Sequence, residues 1–252
     1  MAFQPALDLV LSALEEIRDG TDRPPSASIA VITQLCRAAP GKLELLAPIR
    51  ERVSVCQKCP HLARSRTQTV FGVGNPDADL MFIGEAPGAD DDARGEPFVG
   101  RAGQLLTKII ETMGFKRGDV YIANVLKCRP DMPPKTSGNR PPTSDEMQTC
   151  LPYLAQQIAI IQPKVLVALG ATAVEGLLGT RGTMRDLRGR WHSYSETPLM
   201  ITYHPSYLLR NQALTEKRKV WEDMLLVLER LERPISEKQR KELGALRRLL
   251  AK

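Results

Sequence analysis

The sequence predicts an α/β fold built on a parallel sheet, and two observations carry that reading. Four short apolar runs recur at "DLMFIG" (79–84), "DVYIANV" (119–125), "KVLVALG" (164–170) and "PLMITYH" (198–204). Each holds β-branched residues and has turn residues at its ends, as strands buried on both faces of a parallel sheet do. Helical periodicity separates the runs at 101–113, 144–161 and 171–179, and returns at 215–232. That alternation is what βαβ crossovers require. Ligands of such sheets bind at the carboxyl ends of the strands. The residues that end or follow the runs, Glu85, Asn124, Gly170 and His204, are therefore the ones to inspect.

The flanking segments read differently. Residues 5–18 are expected to form a short amphipathic helix, "DGTDRPPSAS" (19–28) a linker, and part of 28–50 another helix. Residues 1–51 thus read as a helical appendage, 52–233 as the main domain, and "PISEKQRKELGALRRLLAK" (234–252) as a basic helix or tail.

Hydrophobic residues make up 42% of the 252 and charged residues 25%, the balance of a soluble globular protein. A formal net charge of +6 favours a polyanionic partner without naming one. No apolar run is long enough to span a bilayer. The N-terminus lacks the early positive charge and cleavage site of a signal peptide. A cytoplasmic monomer with no membrane association is expected.

Five cysteines, Cys36, Cys56, Cys59, Cys128 and Cys150, are an odd number and argue against a disulfide framework. Cys56 and Cys59 have the Cys-x-x-Cys spacing that lets two thiolates share one metal centre. Cys128 follows the second run directly, and Cys150 lies in a predicted helix. Four thiolates fit either a tetrahedral zinc or a [4Fe–4S] cluster. The alternative is that Cys128 and Cys150 are ordinary buried cysteines. Cys36 is left over as a free thiol.

Six separated motifs then coincide in one order: "CQKCPHL", "GEAPGADDDARGEPFVGRAGQLL", "YIANVLKCRP", "GNRPPTSDEMQTC", "KVLVALGATA" and "YHPSYLLRN". Together they resemble the family 4 (iron–sulfur) uracil-DNA glycosylases of the uracil-DNA glycosylase superfamily, over about residues 52–232. The resemblance implies a three-layer α/β/α sandwich around a four-stranded parallel sheet. It also implies a [4Fe–4S] cluster on Cys56, Cys59, Cys128 and Cys150, and excision of uracil from single- or double-stranded DNA to leave an abasic site. The chain departs from the pattern in three places. "RPDMPPKTS" (129–137) is longer than the family's short link, with an insertion at 131–137. The acids after "GEAPG" are aspartates where glutamates are frequent. Ala86 stands where the better-known branch has a water-activating aspartate.

An enzyme acting on a base within a duplex must extrude it and read it in a pocket. Phe98 is the candidate to stack on the uracil. The Asn124 amide is the candidate to donate to O4 and accept from N3–H, a match that cytosine reverses. His204 is the candidate donor to O2, stabilising the departing anion. Gly84, Ala86 and Gly88 let the main chain approach the base. Glu85 is the nearest carboxylate for water, with capping of loop amides as its alternative. Asp91 is placed against C5 of uracil, where it would exclude thymine's methyl group, with a solvated loop as its alternative. Leu208 or Leu209 is read as a duplex wedge beside Arg210 on a phosphate, against a helix start with both leucines in the core. Arg185 and Arg188, in the arginine-rich "RGTMRDLRGRW" (181–191), are assigned to the DNA backbone.

Two other readings compete. A superfamily relative that traps uracil-DNA covalently carries "GEQPG" and a histidine in a basic insertion. This chain has "GEAPG", and His192 follows "RGRW" without that signature. The other reading is a non-catalytic iron–sulfur module that binds DNA.

Overall fold

A computed structural model describes residues 40–133, 136 and 138–237. The expected helix at 5–18, Cys36 and most of the basic tail lie outside the described residues, as do parts of the expected 28–50 helix and of the 131–137 insertion. Helix α1 (Lys42–Ser54) is followed by α2 (Pro60–Ser65), strands β1 (Val73–Gly74) and β2 (Leu80–Gly84), and helices α3 (Ala89–Arg94) and α4 (Arg101–Thr112). Then come β3 (Tyr121–Asn124), α5 (Ser144–Ile161), β4 (Val165–Leu169), α6 (Ala171–Leu178) and α7 (Met184–Leu187). Strands β5 (Trp191–Tyr194) and β6 (Thr197–Thr202) and helices α8 (Pro205–Arg210) and α9 (Leu214–Arg230) complete the order.

The sheet runs β1-β3-β2-β4-β6-β5. Its four central strands are parallel to one another, while β1 and β5 add antiparallel edges. The parallel core is the four-stranded sheet expected from the apolar runs. The edges were not foreseen: β1 is two residues long, and β5 is only partly buried.

Alternation along each central strand sends side chains to opposite faces. Met81, Ile83, Tyr121, Ala123, Leu166, Ala168, Leu199 and Ile201 join one core with residues of α1, α5 and α6. Leu80, Phe82, Ile122, Val165, Val167 and Met200 join a second with α4 and α9. Two cores on two faces make the three-layer sandwich. Leu46, Ile49 and Val53 of α1 already contribute to the first core, ahead of residue 52. Among the described residues no helix is long and apolar enough to cross a membrane.

Candidate active site and thiol centre

The carboxyl ends of β2, β3 and β6 converge at one place. Gly84 pairs with Asn124 across the β2–β3 register. A Cβ on Gly84 would lie 2.3 Å from Asn124 Oδ1 and 2.5 Å from the tip of the Phe98 ring. Only glycine lets the aromatic, the amide and the main chain meet so closely. The Phe98 ring also lies 5.6 Å from the His204 ring, centroid to centroid, at 33°.

Phe98 adopts φ +55°, a left-handed conformation unfavourable for a bulky residue. Such conformations persist where the surroundings hold them, and they gather at functional sites. The Val99 amide donates to Asp91 Oδ1 (2.9 Å), and Arg117 donates to the Pro97 carbonyl (2.7 Å). A Cβ on Gly103 would sit 1.7 Å from the Phe98 carbonyl oxygen, so α4 packs directly on this turn.

Asn124 is 1% exposed, and neither its Nδ2 nor its Oδ1 has a hydrogen-bond partner. A buried, unsatisfied amide costs about 1–3 kcal/mol. It is tolerable where a ligand completes the bonding.

His204 caps the start of α8. Its Nδ1 accepts from the Ser206 amide (3.1 Å) and faces the Ser206 hydroxyl at 2.8 Å. Accepting at Nδ1 fixes the proton of the neutral ring on Nε2. Burial, reinforced by the Arg210 charge, holds the ring neutral by pulling its pKa down to about 4.

Glu85 lines a cavity of about 550 Å³ with Ala86, Gly88, Asn139, Arg140 and His204. Burial raises its pKa above the ordinary 4.5, while the Thr172 hydroxyl and Arg210 act in the opposite direction. Among the described residues no loop amide bonds to its carboxyl group, so the capping alternative has no support. Asn139 and Arg140 carry no role in the sequence reading. The signal was their motif, "GNRPP", which folds against Gly88, with Asn139 Nδ2 3.4 Å from where a Gly88 Cβ would lie.

Three sequence assignments are corrected. Asp91 is a loop clamp: it is buried, and its two oxygens accept from the Val99 and Gly88 amides, the latter at 3.3 Å. Arg188 is unavailable to DNA, because it forms a buried pair with Asp223 (2.7 and 3.1 Å) and donates to the Lys219 carbonyl. Leu208 is 4% exposed in the second core, so it cannot serve as a wedge. Residues 184–187 form helix α7. Leu209 is half-buried, and Arg185 and Arg210 are exposed.

The four cysteines line one small cavity with Lys58, Arg66, Leu126 and Tyr153, and all four are free thiols. Arg66 donates to the Cys128 sulfur (3.1 Å) and to the Cys56 carbonyl (2.8 Å). The Lys127 amide donates to the Cys150 sulfur (3.3 Å). A capping box places Cys150: Thr143 and Glu146 exchange side chain-to-amide bonds at the start of α5. Burial pushes the Cys150 thiol up to about 12 and also raises Cys59 and Cys128. A metal is ligated by thiolates, so filling this cavity with one would release the thiol protons. A single tetrahedral zinc with ~2.3 Å bonds needs sulfurs about 3.8 Å apart. Among the described residues the one trio of metal-ligating groups mutually within 4.8 Å is His61, Asp131 and Glu146, and no cysteine belongs to it. That trio is occupied internally. Arg140 bonds to both carboxylates, and His61 lies 2.8 Å from Glu146. Burial alone would raise Glu146, but Arg140 and His61 hold it down to about 2.

The family model for the uracil DNA glycosylase superfamily matches residues 71–225. The chain is 45% identical over 183 residues to a type-4 uracil-DNA glycosylase of Thermotoga maritima, covering 72% of this chain and 92% of that protein. It belongs to the type-4 uracil-DNA glycosylases. A type-4 enzyme of Pyrobaculum aerophilum is 43% identical over 67% of this chain and 87% of its own length. A type-5 relative of Thermus thermophilus is 27% identical over 62% and 84%. Family membership agrees with the converging strand ends. His192, the residue a covalent trap would need, bonds instead to the Leu187 carbonyl (2.9 Å) and does not line the cavity beside His204.

Proposed function

We infer that this site excises uracil from DNA by hydrolysing its N-glycosidic bond. The observation that carries the reading is the Asn124 amide, fully buried and unpaired beside the Phe98 ring. Uracil supplies what the amide lacks: an acceptor at O4 for Nδ2 and a donor at N3–H for Oδ1. Cytosine presents the reverse and leaves both pairs mismatched. Phe98 stacks on the flipped base. The His204 Nε2–H, its tautomer set by Ser206, donates to O2, where negative charge grows as the bond breaks. A neutral, preorganised donor of this kind stabilises the leaving anion without transferring a proton. Glu85 is the carboxylate that orients or polarises water for attack at the sugar carbon.

The four thiols fit a [4Fe–4S] cluster. They converge, they are free, no three of their sulfurs lie mutually within 4.8 Å, and two of them accept N–H bonds of the kind that tune such clusters. When bound, the cluster supplies an inorganic cross-link between the start of α2, the segment after β3, and α5. Exposed Arg185 and Arg210 are assigned to phosphates, and Leu209 to the space vacated by the base.

Incubation with a uracil-containing oligonucleotide followed by alkali tests the reading. Strand cleavage at uracil is expected, and an intact strand would refute it. Purified protein is expected to be brown, with about four irons per chain; a colourless protein with one zinc would refute the cluster.

A further inference from the structure

Lys127 is 1% exposed, among the largest fully buried side chains of the described residues. Its ammonium donates to the Asn124 carbonyl (2.9 Å) and to Gln157 Oε1 (2.6 Å), and no carboxylate pairs with it among the described residues. Gln157 in turn donates to the Phe71 carbonyl (3.0 Å) and the Tyr121 hydroxyl (3.2 Å). The Lys127 amide holds the Cys150 sulfur (3.3 Å), and its carbonyl accepts from Val70 (2.8 Å).

Burying an ammonium with no carboxylate partner is costly even with the Phe71 ring 6.0 Å away and the Cys150 sulfur nearby, and a methionine would fill the same space without that cost. The cost has a local return. The strand ladder ends at Asn124, whose own carbonyl is the group that Lys127 takes up. Fixing that carbonyl fixes the main chain from which the unpaired amide projects.

We propose that Lys127 is a positioning residue for base recognition. Its ammonium clamps the main chain of Asn124 and so aims the reading amide, while its own amide ties the same segment to Cys150. The proposal rests on the uracil-reading role of Asn124, and a double-mutant cycle separates the two. Full-length, cluster-containing protein is assayed for kcat/KM on a uracil oligonucleotide as wild type, Lys127→Met, Asn124→Ala and the double variant. Lys127→Met is expected to lower kcat/KM about 10- to 100-fold in the wild-type background, the scale of a misplaced recognition group. In the Asn124→Ala background it is expected to cost less than about threefold, because there is no amide left to aim. Inhibition by free uracil should weaken by a similar factor, with iron content per chain unchanged.

Equal losses in both backgrounds would overturn the proposal, as would activity falling only in proportion to iron. Wild-type kcat/KM in Asn124→Ala would instead remove the pocket reading beneath it, and the proposal with it. Should Lys127→Met fail to fold, Gln157→Leu removes the ammonium's other anchor and is carried through the same cycle. Coupling to Asn124 supports the clamp, and simple additivity overturns it.

Discussion

Two buried amides show how this molecule divides its labour. Gln157, in α5, is fully enclosed, and both ends of its side chain are bonded: to the Lys127 ammonium, the Phe71 carbonyl and the Tyr121 hydroxyl. Asn124, at the end of β3, is just as enclosed and has no partner for either atom. The first is what a folded chain does with a polar group it must bury. The second is a cost that, on the proposed reading, a bound uracil offsets. A single lysine touches both residues, so the contrast lies along one short path, not between distant parts of the fold.

The largest effects should come from the unpaired side. Asn124→Leu is expected to lower kcat/KM by roughly 10²–10³-fold, the cost of deleting a preorganised recognition group. The same change should raise stability by about 1–3 kcal/mol in denaturant unfolding, because it removes an unsatisfied amide. Gln157→Leu should do the opposite to stability, lowering it by about 1–3 kcal/mol, since it leaves the ammonium and two acceptors unpaired or weakened. If the two changes shift stability in the same direction, the contrast between the amides is wrong.

His204→Ala should reduce turnover by roughly 10²-fold with little loss of DNA affinity, because the ring acts on developing charge. Equal losses in both would contradict that role. A pH profile sharpens the point. Glu85 is raised above 4.5 and His204 lowered to about 4, so on acidification Glu85 loses its charge first and His204 gains one later. The acid limb of kcat/KM is therefore expected above pH 4.5 in the wild type and nearer pH 4 in Glu85→Gln. Stability follows the same ring. Its folded pKa lies below the unfolded value of 6.5, so the unfolded chain binds the extra proton and stability falls as pH drops from 6.5 towards 4.

The smallest effects should separate two arginines. Arg185→Ala is expected to weaken DNA binding modestly and flatten its logarithmic salt dependence by about one unit. Arg188→Ala should leave the salt slope unchanged and destabilise the fold, because it removes the charge partner of Asp223, leaving it the Thr202 hydroxyl, while burial already raises its carboxyl to about 6. Melting curves and salt titrations of the two variants distinguish the roles.

The parts of this site legible in the sequence are those fixed by local pattern. Apolar runs marked the central strands, and their ends led to Glu85 and His204, which line one cavity, and to Asn124, which lies against Gly84 and Phe98. Cysteine spacing led to four thiols that share one cavity. What escaped depends on partners distant in sequence. Nothing near Arg188 announces that Asp223 will meet it from α9. Leu208 looks like a wedge until the six-residue α8 turns it into the core. Asp91 sits in a polar loop that reads as exposed, yet the turn through Phe98 brings the Val99 amide onto its carboxylate. The β1 and β5 edges are too short or too polar to stand out from loop.

The glycine at the end of β2 has a consequence for how such a pocket changes over time. Its floor is main chain, paired in register with the strand that bears the reading amide, so floor and amide form one rigid piece that no choice of rotamer can deepen or widen. Innovation at this depth is sterically closed, since even a methyl group collides with the Asn124 and Phe98 side chains. Any broadening towards other damaged bases must therefore arise at the rim, in the segment that carries Asn139 and Arg140, which lines the cavity beside Gly88.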